Sequence, residues 1–102
     1  KHETYAYSAS KAALHQLSRH LADQLAPRHI LVNVIAPGMF PSRMMKGTLE
    51  RHGEEKVVEK VPLRRLTNAT DMAGAAIYLA SKASSYVTGV VLPVDGGTAT
   101  VL

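Results

Sequence analysis

The sequence predicts an α/β fold built on parallel strands, and three observations carry that prediction. A long segment free of glycine and proline repeats leucine at helical spacing, two short runs rich in β-branched residues each end on a proline or glycine turn, and the two kinds of segment alternate along the chain. In the first segment, from Tyr7 to about Ala26, Leu14, Leu17, Leu21 and Leu25 recur three and four residues apart, a single apolar stripe closed by Pro27. The run Ile30-Leu31-Val32-Asn33-Val34-Ile35-Ala36 suits a strand buried on both faces of a parallel sheet, and Pro37-Gly38 ends it.

Residues 39–61 change character. They are rich in Met and then in charge, and Gly47 and Gly53 read as breaks, so this stretch is expected to be a mobile insertion with one or two short helices, the later around Glu54 to Lys60. Thr70 reads as an N-cap with Asp71 in the first turn, opening a helix to about Ser81 that turns Met72, Ala75, Ala76 and Leu79 inward. Ser84-Ser85-Tyr86 marks a turn, and Val90 to Val94 a second strand ended by Asp95-Gly96-Gly97. Two strands cannot cover their own faces and edges, so the segment is expected to belong to a larger parallel sheet as its C-terminal half, and alone to expose an apolar seam.

Composition narrows the function classes. With 102 residues there is room for one small domain. An apolar share of 46% with 20% charged residues argues against disorder. The absence of Cys excludes disulfides, thiolate zinc sites and thiol nucleophiles. No apolar run approaches the roughly 18–20 residues of a membrane helix. The formal charge of +4 invites a nucleic-acid reading, but the cations are scattered from Lys1 to Lys82 and aromatics make up only 5% of the chain, so a solvated surface or a face for an acidic small molecule or carrier fits better. His15 and His20 lie five apart on one helix and do not share a face, and His2, His29 and His52 have no ligand at useful spacing, so no metal site is expected.

The sharpest local feature is Tyr7-Ser8-Ala9-Ser10-Lys11. On a helix the residues at i and i+4 share a face, so an ammonium can approach a phenol. A free phenol titrates near 10, and acting near neutrality asks for a drop of about three units, or about 4 kcal/mol. One cation about 5 Å away, at an effective dielectric of about 20, supplies roughly 3 kcal/mol of that. The pattern makes Tyr7 a candidate proton donor and acceptor, tuned by Lys11. Alone the spacing is weak, since about a quarter of such a pair arises by chance in this composition.

Its surroundings sharpen it. Tyr7-Ser8-Ala9-Ser10-Lys11-Ala12-Ala13-Leu14, Asn33-Val34-Ile35-Ala36-Pro37-Gly38, Asp71-Met72-Ala73, Tyr86-Val87-Thr88-Gly89 and Val94-Asp95-Gly96-Gly97 occur in this order. Together they resemble the short-chain dehydrogenase/reductase family over essentially the whole chain, aligned to about the C-terminal 40% of a typical member. The stretch from Ala36 to Met44 looks like the 3-oxoacyl reductase branch, including reductases of the rhamnolipid pathway type. The resemblance implies the C-terminal portion of a Rossmann-type doubly wound parallel sheet, in the order helix, strand, helical insertion, helix, strand. It implies an NAD(P)-dependent oxidoreductase, NADP preferred, that moves hydride between nicotinamide and a carbonyl or alcohol.

Carried across by residue, the resemblance makes Tyr7 the acid/base and Lys11 its partner, both also touching the nicotinamide ribose. Pro37 and Gly38 match the turn beside the nicotinamide, Phe40 the position whose N–H meets the carboxamide, and Ser42 a hydroxyl that bonds the same group. Met39, Phe40, Met44 and Met45 match the substrate wall, where a flexible Met-rich surface suits long acyl chains, although Met also packs loops onto cores. The substrate is expected to be a small carbonyl compound, on CoA or a carrier protein, for which Arg28 is a candidate docking residue or a plain surface cation. Arg64 and Arg65 are read as capping carbonyls or pairing with Asp71.

The family's glycine-rich turn, its cofactor-selecting residue, its helix asparagine and its catalytic serine match nothing in these residues. The 102 residues alone are therefore expected to be inactive. The family also implies a homodimer or homotetramer, with the first helix among the contacts. A cytoplasmic setting is expected, with no nucleic-acid or membrane partner. The alternative is a truncated, non-catalytic fragment acting as a binding or assembly module.

Overall fold

The computed structural model describes residues 5–41 and 43–101, side chains of residues 43–45 excepted. In chain order it holds α1 (Tyr5–Leu25), β1 (Val34–Pro37), α2 (Arg43–His52), α3 (Glu54–Val58), α4 (Ala69–Ala80) and β2 (Val91–Val94), with short 3-10 turns at Ala26–Arg28 and Lys82–Ser84. The strands pair in parallel, Val34 opposite Val91 and Pro37 opposite Val94. The crossover between them carries α4, which packs against both strands. This is the α/β order expected, helix, strand, helical insertion, helix, strand.

Several boundaries move, each for a local reason. Helix α1 ends at Leu25, ahead of Pro27 as expected; Pro27 sits in the following 3-10 turn, and His29 closes that turn in the left-handed region at φ 61, its N–H bonded to Ala26 O. The ladder of β1 starts at Val34 rather than Ile30, because the facing chain turns through Gly89 at φ 78. There one backbone bond, Gly89 N–H to Val32 O at 2.8 Å, is joined by side chains: Val32 N–H donates to Thr88 Oγ1, and the Asn33 amide donates to Val87 O and accepts from Val90 N–H. Gly47 is no break, since α2 runs through it, a helix-interior glycine costing about 1 kcal/mol. Gly53, at φ 78, is the break.

Helix α4 opens at Asn68, not Thr70. Asn68 Oδ1 accepts from Asp71 N–H and Asp71 Oδ2 accepts from Asn68 N–H, both at 2.9 Å, a reciprocal capping box that leaves Thr70 inside the first turn. Met72, Ala75 and Leu79 are half-buried as expected, whereas Ala76 is exposed.

The core is small. Ala22, Val57 and Val61 are the buried apolar residues among those described. Both strands are half-buried rather than covered on both faces. Leu14, Leu17, Leu21, Ile30, Leu31 and Ile77 are exposed, which is the apolar seam expected of a sheet lacking neighbours. The radius of gyration, 15.7 Å, exceeds the roughly 13 Å of a compact chain this long. No helix among the described residues is long and apolar enough to cross a membrane.

Candidate active site

Helix α1 presents Tyr7 and Lys11 one turn apart, both exposed. The Lys11 ammonium lies 5.5 Å from the centroid of the Tyr7 ring. That is a cation held against the aromatic ring, not a hydrogen bond to the phenol. Ser10 Oγ donates to Tyr7 O at 2.8 Å, a bond within the same turn. The C-terminal half of α1 fixes the helix to the body, through buried Ala22 beside Gly89.

A second cluster sits at the C-terminal ends of the two parallel strands, where open α/β sheets place their ligand crevices. Gly38 N–H donates to Val94 O at 2.9 Å, continuing the pairing past Pro37. A Cβ on Gly38 would lie 2.6 Å from Asp95 Cα, so only glycine lets the two strand-end turns meet. Asp95 in turn accepts from Gly97 N–H and Ala99 N–H, which holds the second turn rigid. Met39 O accepts from Thr67 N–H, and Leu63 N–H donates to Gly96 O, so residues 61–67 clamp both turns from one side.

Behind this clamp Arg65 grips Asp71 with two bonds of 2.7 and 3.0 Å. Those bonds, with the Asn68 N–H, hold the Asp71 carboxyl down at about 2. Arg64 caps carbonyls instead, Nη1 donating to Glu59 O and Val61 O. Both roles read for this arginine pair in the sequence are therefore filled, one by each residue.

The expected site residues divide by place. Pro37, Gly38, Met39 and Phe40 share the strand-end loop, Phe40 half-buried. Met39 also lines a cavity of about 360 Å³ with Thr48, His52, Lys56, Val57, Glu59 and Lys60. Tyr7 and Lys11 stand apart on α1, and no hydrogen bond among the described residues joins them to the loop. Ser42 lies outside the described residues, as do the side chains of Met44 and Met45. Reading the sequence missed Asn33 as the stitch between strand entries and Asn68 as the cap, though Asn68-x-x-Asp71 carries the capping-box spacing. It also missed Lys56 and Lys60 beside the cavity, since surface lysines carry no spacing signal.

The donors present fit the nicotinamide end of a dinucleotide. Met39 N–H and Phe40 N–H have no partner among the described residues, which leaves two backbone donors on the strand-end loop.

Residues 1–99 match the family model described as enoyl-(acyl carrier protein) reductase. The chain is 50% identical over 96 residues to the rhamnolipids biosynthesis 3-oxoacyl-(acyl-carrier-protein) reductase of Pseudomonas aeruginosa, covering 93% of this chain and 38% of that protein. It is 42% identical over 103 residues to the short-chain dehydrogenase/reductase SAT3 of Stachybotrys chartarum, covering 95% of this chain and 37% of that one. The solved RhlG/NADP active-site complex of Pseudomonas aeruginosa superposes with a TM-score of 0.84 at 48% identity, over 96% of this chain and 40% of that chain. The chain thus spans about two-fifths of the length of these relatives. With their parallel strand pair, crossover helix and strand-end turns now seen in this chain, it belongs to the short-chain dehydrogenase/reductase family and holds the C-terminal portion of that fold.

Proposed function

We propose that the protein is an NAD(P)-dependent oxidoreductase, NADPH preferred, that reduces a 3-oxoacyl group or a similar ketone, with Tyr7 as its acid/base. The observation that carries the reading is the Tyr7–Lys11 pair, ammonium against ring at 5.5 Å on an open helix face, in a chain 50% identical to a 3-oxoacyl reductase. The nicotinamide, when bound, exchanges the hydride. Lys11 and Tyr7 would hold its ribose, Phe40 N–H its carboxamide, and Pro37 and Gly38 would pass beneath its ring, with Ser42 as a further donor.

In the reductive direction the Tyr7 hydroxyl gives its proton to the substrate oxygen as the carbonyl carbon is reduced. Lys11 stabilises the phenolate left behind, and the half-exposed ring lets solvent return the proton. Met39, Phe40, Met44 and Met45 would form the acyl wall. Lys56 and Lys60 at the Met39 cavity outnumber the Glu59 carboxylate beside them, which leaves a net cationic lining for the phosphate of a CoA or carrier-protein thioester. The exposed apolar face of α1 is divided between the rest of the sheet and a second copy, the family's assembly as a homodimer or homotetramer.

The test is NADPH consumption by the full-length protein with a 3-oxoacyl thioester. Tyr7→Phe should lower kcat/KM by about a thousandfold at an unchanged melting temperature. An unimpaired Tyr7→Phe enzyme removes Tyr7 from the chemistry. The verified 102-residue chain should show no turnover, and activity from it would overturn the need for further residues. A full-length protein that reduces no ketone but binds a protein partner would favour the assembly-module reading.

A further inference from the structure

The helix pair α2–α3 is held to the body through its downstream stem. Among the described residues no hydrogen bond runs from residues 43–58 to either strand or to α4. The stem, by contrast, is anchored at both turns, Leu63 N–H on Gly96 O at 3.1 Å and Thr67 N–H on Met39 O at 2.9 Å. Val61 is 2% exposed and seated so tightly on Gly96 that a Cβ there would come within 2.8 Å of Val61 Cγ1. Arg64 stands between these anchors in the left-handed region at φ 58, a backbone state that favours glycine. From it the side chain turns back over the end of α3, Nη1 donating to Glu59 O at 2.9 Å, the carbonyl just past that helix, and to Val61 O at 2.8 Å in the stem, which also accepts from the Arg64 N–H.

Helix α3 supplies Lys56 and Val57 to the 360 Å³ cavity, and Met39, bonded to the stem through Thr67, lines it too. Any shift of α3 against the stem therefore changes the width of that cavity. We propose that Arg64 is a positioning residue that sets acyl-chain length: its guanidinium locks α3 to the sheet-anchored stem and so fixes the gap between Val57 and Met39. The assignment rests on the 3-oxoacyl reading above.

The test uses the full-length protein with Arg64→Gly, Arg64→Ala and Arg64→Lys. The glycine variant relieves the left-handed backbone while the alanine variant keeps it, and both lose the guanidinium. If the guanidinium is the lock, both raise hydrogen exchange of residues 54–61 by about tenfold. Both then change the ratio of KM for a ten-carbon over a four-carbon 3-oxoacyl-CoA by about fivefold, kcat changing less than twofold, and lysine restores part of each. An unchanged KM ratio, or KM and kcat worsening together with the melting temperature, overturns the proposal. So does an effect confined to the alanine variant, which would assign it to backbone strain. A wild-type protein inactive on every thioester overturns the chain-length assignment together with the reductase reading, while the exchange rates still report whether Arg64 holds α3.

Discussion

Gly38 and Asp95 share a space that no side chain at position 38 could enter, a Cβ there falling 2.6 Å from Asp95 Cα and 2.8 Å from its Cβ. The contact joins the two turns at which the parallel strands end, and the Gly38 N–H bond to Val94 O lies beside it. Because the obstructing atoms are backbone or close to it, no rotamer change can relieve the clash.

Gly38→Ala should therefore destabilise the protein by about 1–3 kcal/mol, the cost of overpacking a site that cannot yield. Urea denaturation checks this through the midpoint at constant slope. A midpoint equal to that of the parent would mean that the two turns part readily.

What was legible in the sequence was whatever depends on spacing along the chain. The leucine stripe of α1, the presence of short helices between Gly38 and Val61 with a break at Gly53, and the turns at Pro37-Gly38 and Asp95-Gly96-Gly97 all follow from local pattern. Tyr7 and Lys11 were visible for the same reason, one helical turn joining them. What depends on a partner segment was not visible. Ile30 to Asn33 reads as strand, yet the chain facing it turns at Gly89, and one backbone bond, Gly89 N–H to Val32 O, together with the Thr88 and Asn33 side chains bridges the gap. Thr70 looks like a cap because it precedes Asp71, whereas the reciprocal bonds select Asn68. Arg64 gives no hint of its left-handed backbone, since nothing in an Arg-Arg pair calls for positive φ.

Asn33 is the next test of these bridges. Its amide donates to Val87 O and accepts from Val90 N–H, each at 3.1 Å, and so covers two backbone groups where the ladder has not yet begun. Asn33→Ala should cost about 1–2 kcal/mol by removing one part-buried bond, to Val87 O, and one exposed bond, from Val90 N–H, and should speed exchange at the Val90 amide. Unchanged Val90 exchange would show that water replaces the side chain at no cost.

Asp71 carries the pH dependence. Its carboxyl is lowered from 3.8 to about 2, first by the hydrogen bonds from Arg65 and then by the Asn68 N–H. A carboxyl depressed on folding stabilises the fold fully above its unfolded value and loses that contribution as pH falls through the folded value. The parent should thus exceed Asp71→Asn in stability at pH 5, and the gap should close between pH 4 and pH 2. Denaturation midpoints of both proteins across that range measure it, and a gap that stays constant would mean that charge on Asp71 contributes nothing.

Tyr7 and Lys11 make the last test, because their proposed roles are one function divided between two side chains. The ammonium lies against the ring at 5.5 Å, and in the proposed chemistry its charge matters only while the phenol gives up a proton. Removing the phenol should therefore make removal of the ammonium nearly silent in the chemical step. In the full-length protein, Tyr7→Phe should lower kcat by about a thousandfold and Lys11→Met by about a hundredfold, with the double variant no worse than about a thousandfold. Strict multiplication of the two losses would mean that Lys11 acts apart from Tyr7, as a binding cation alone.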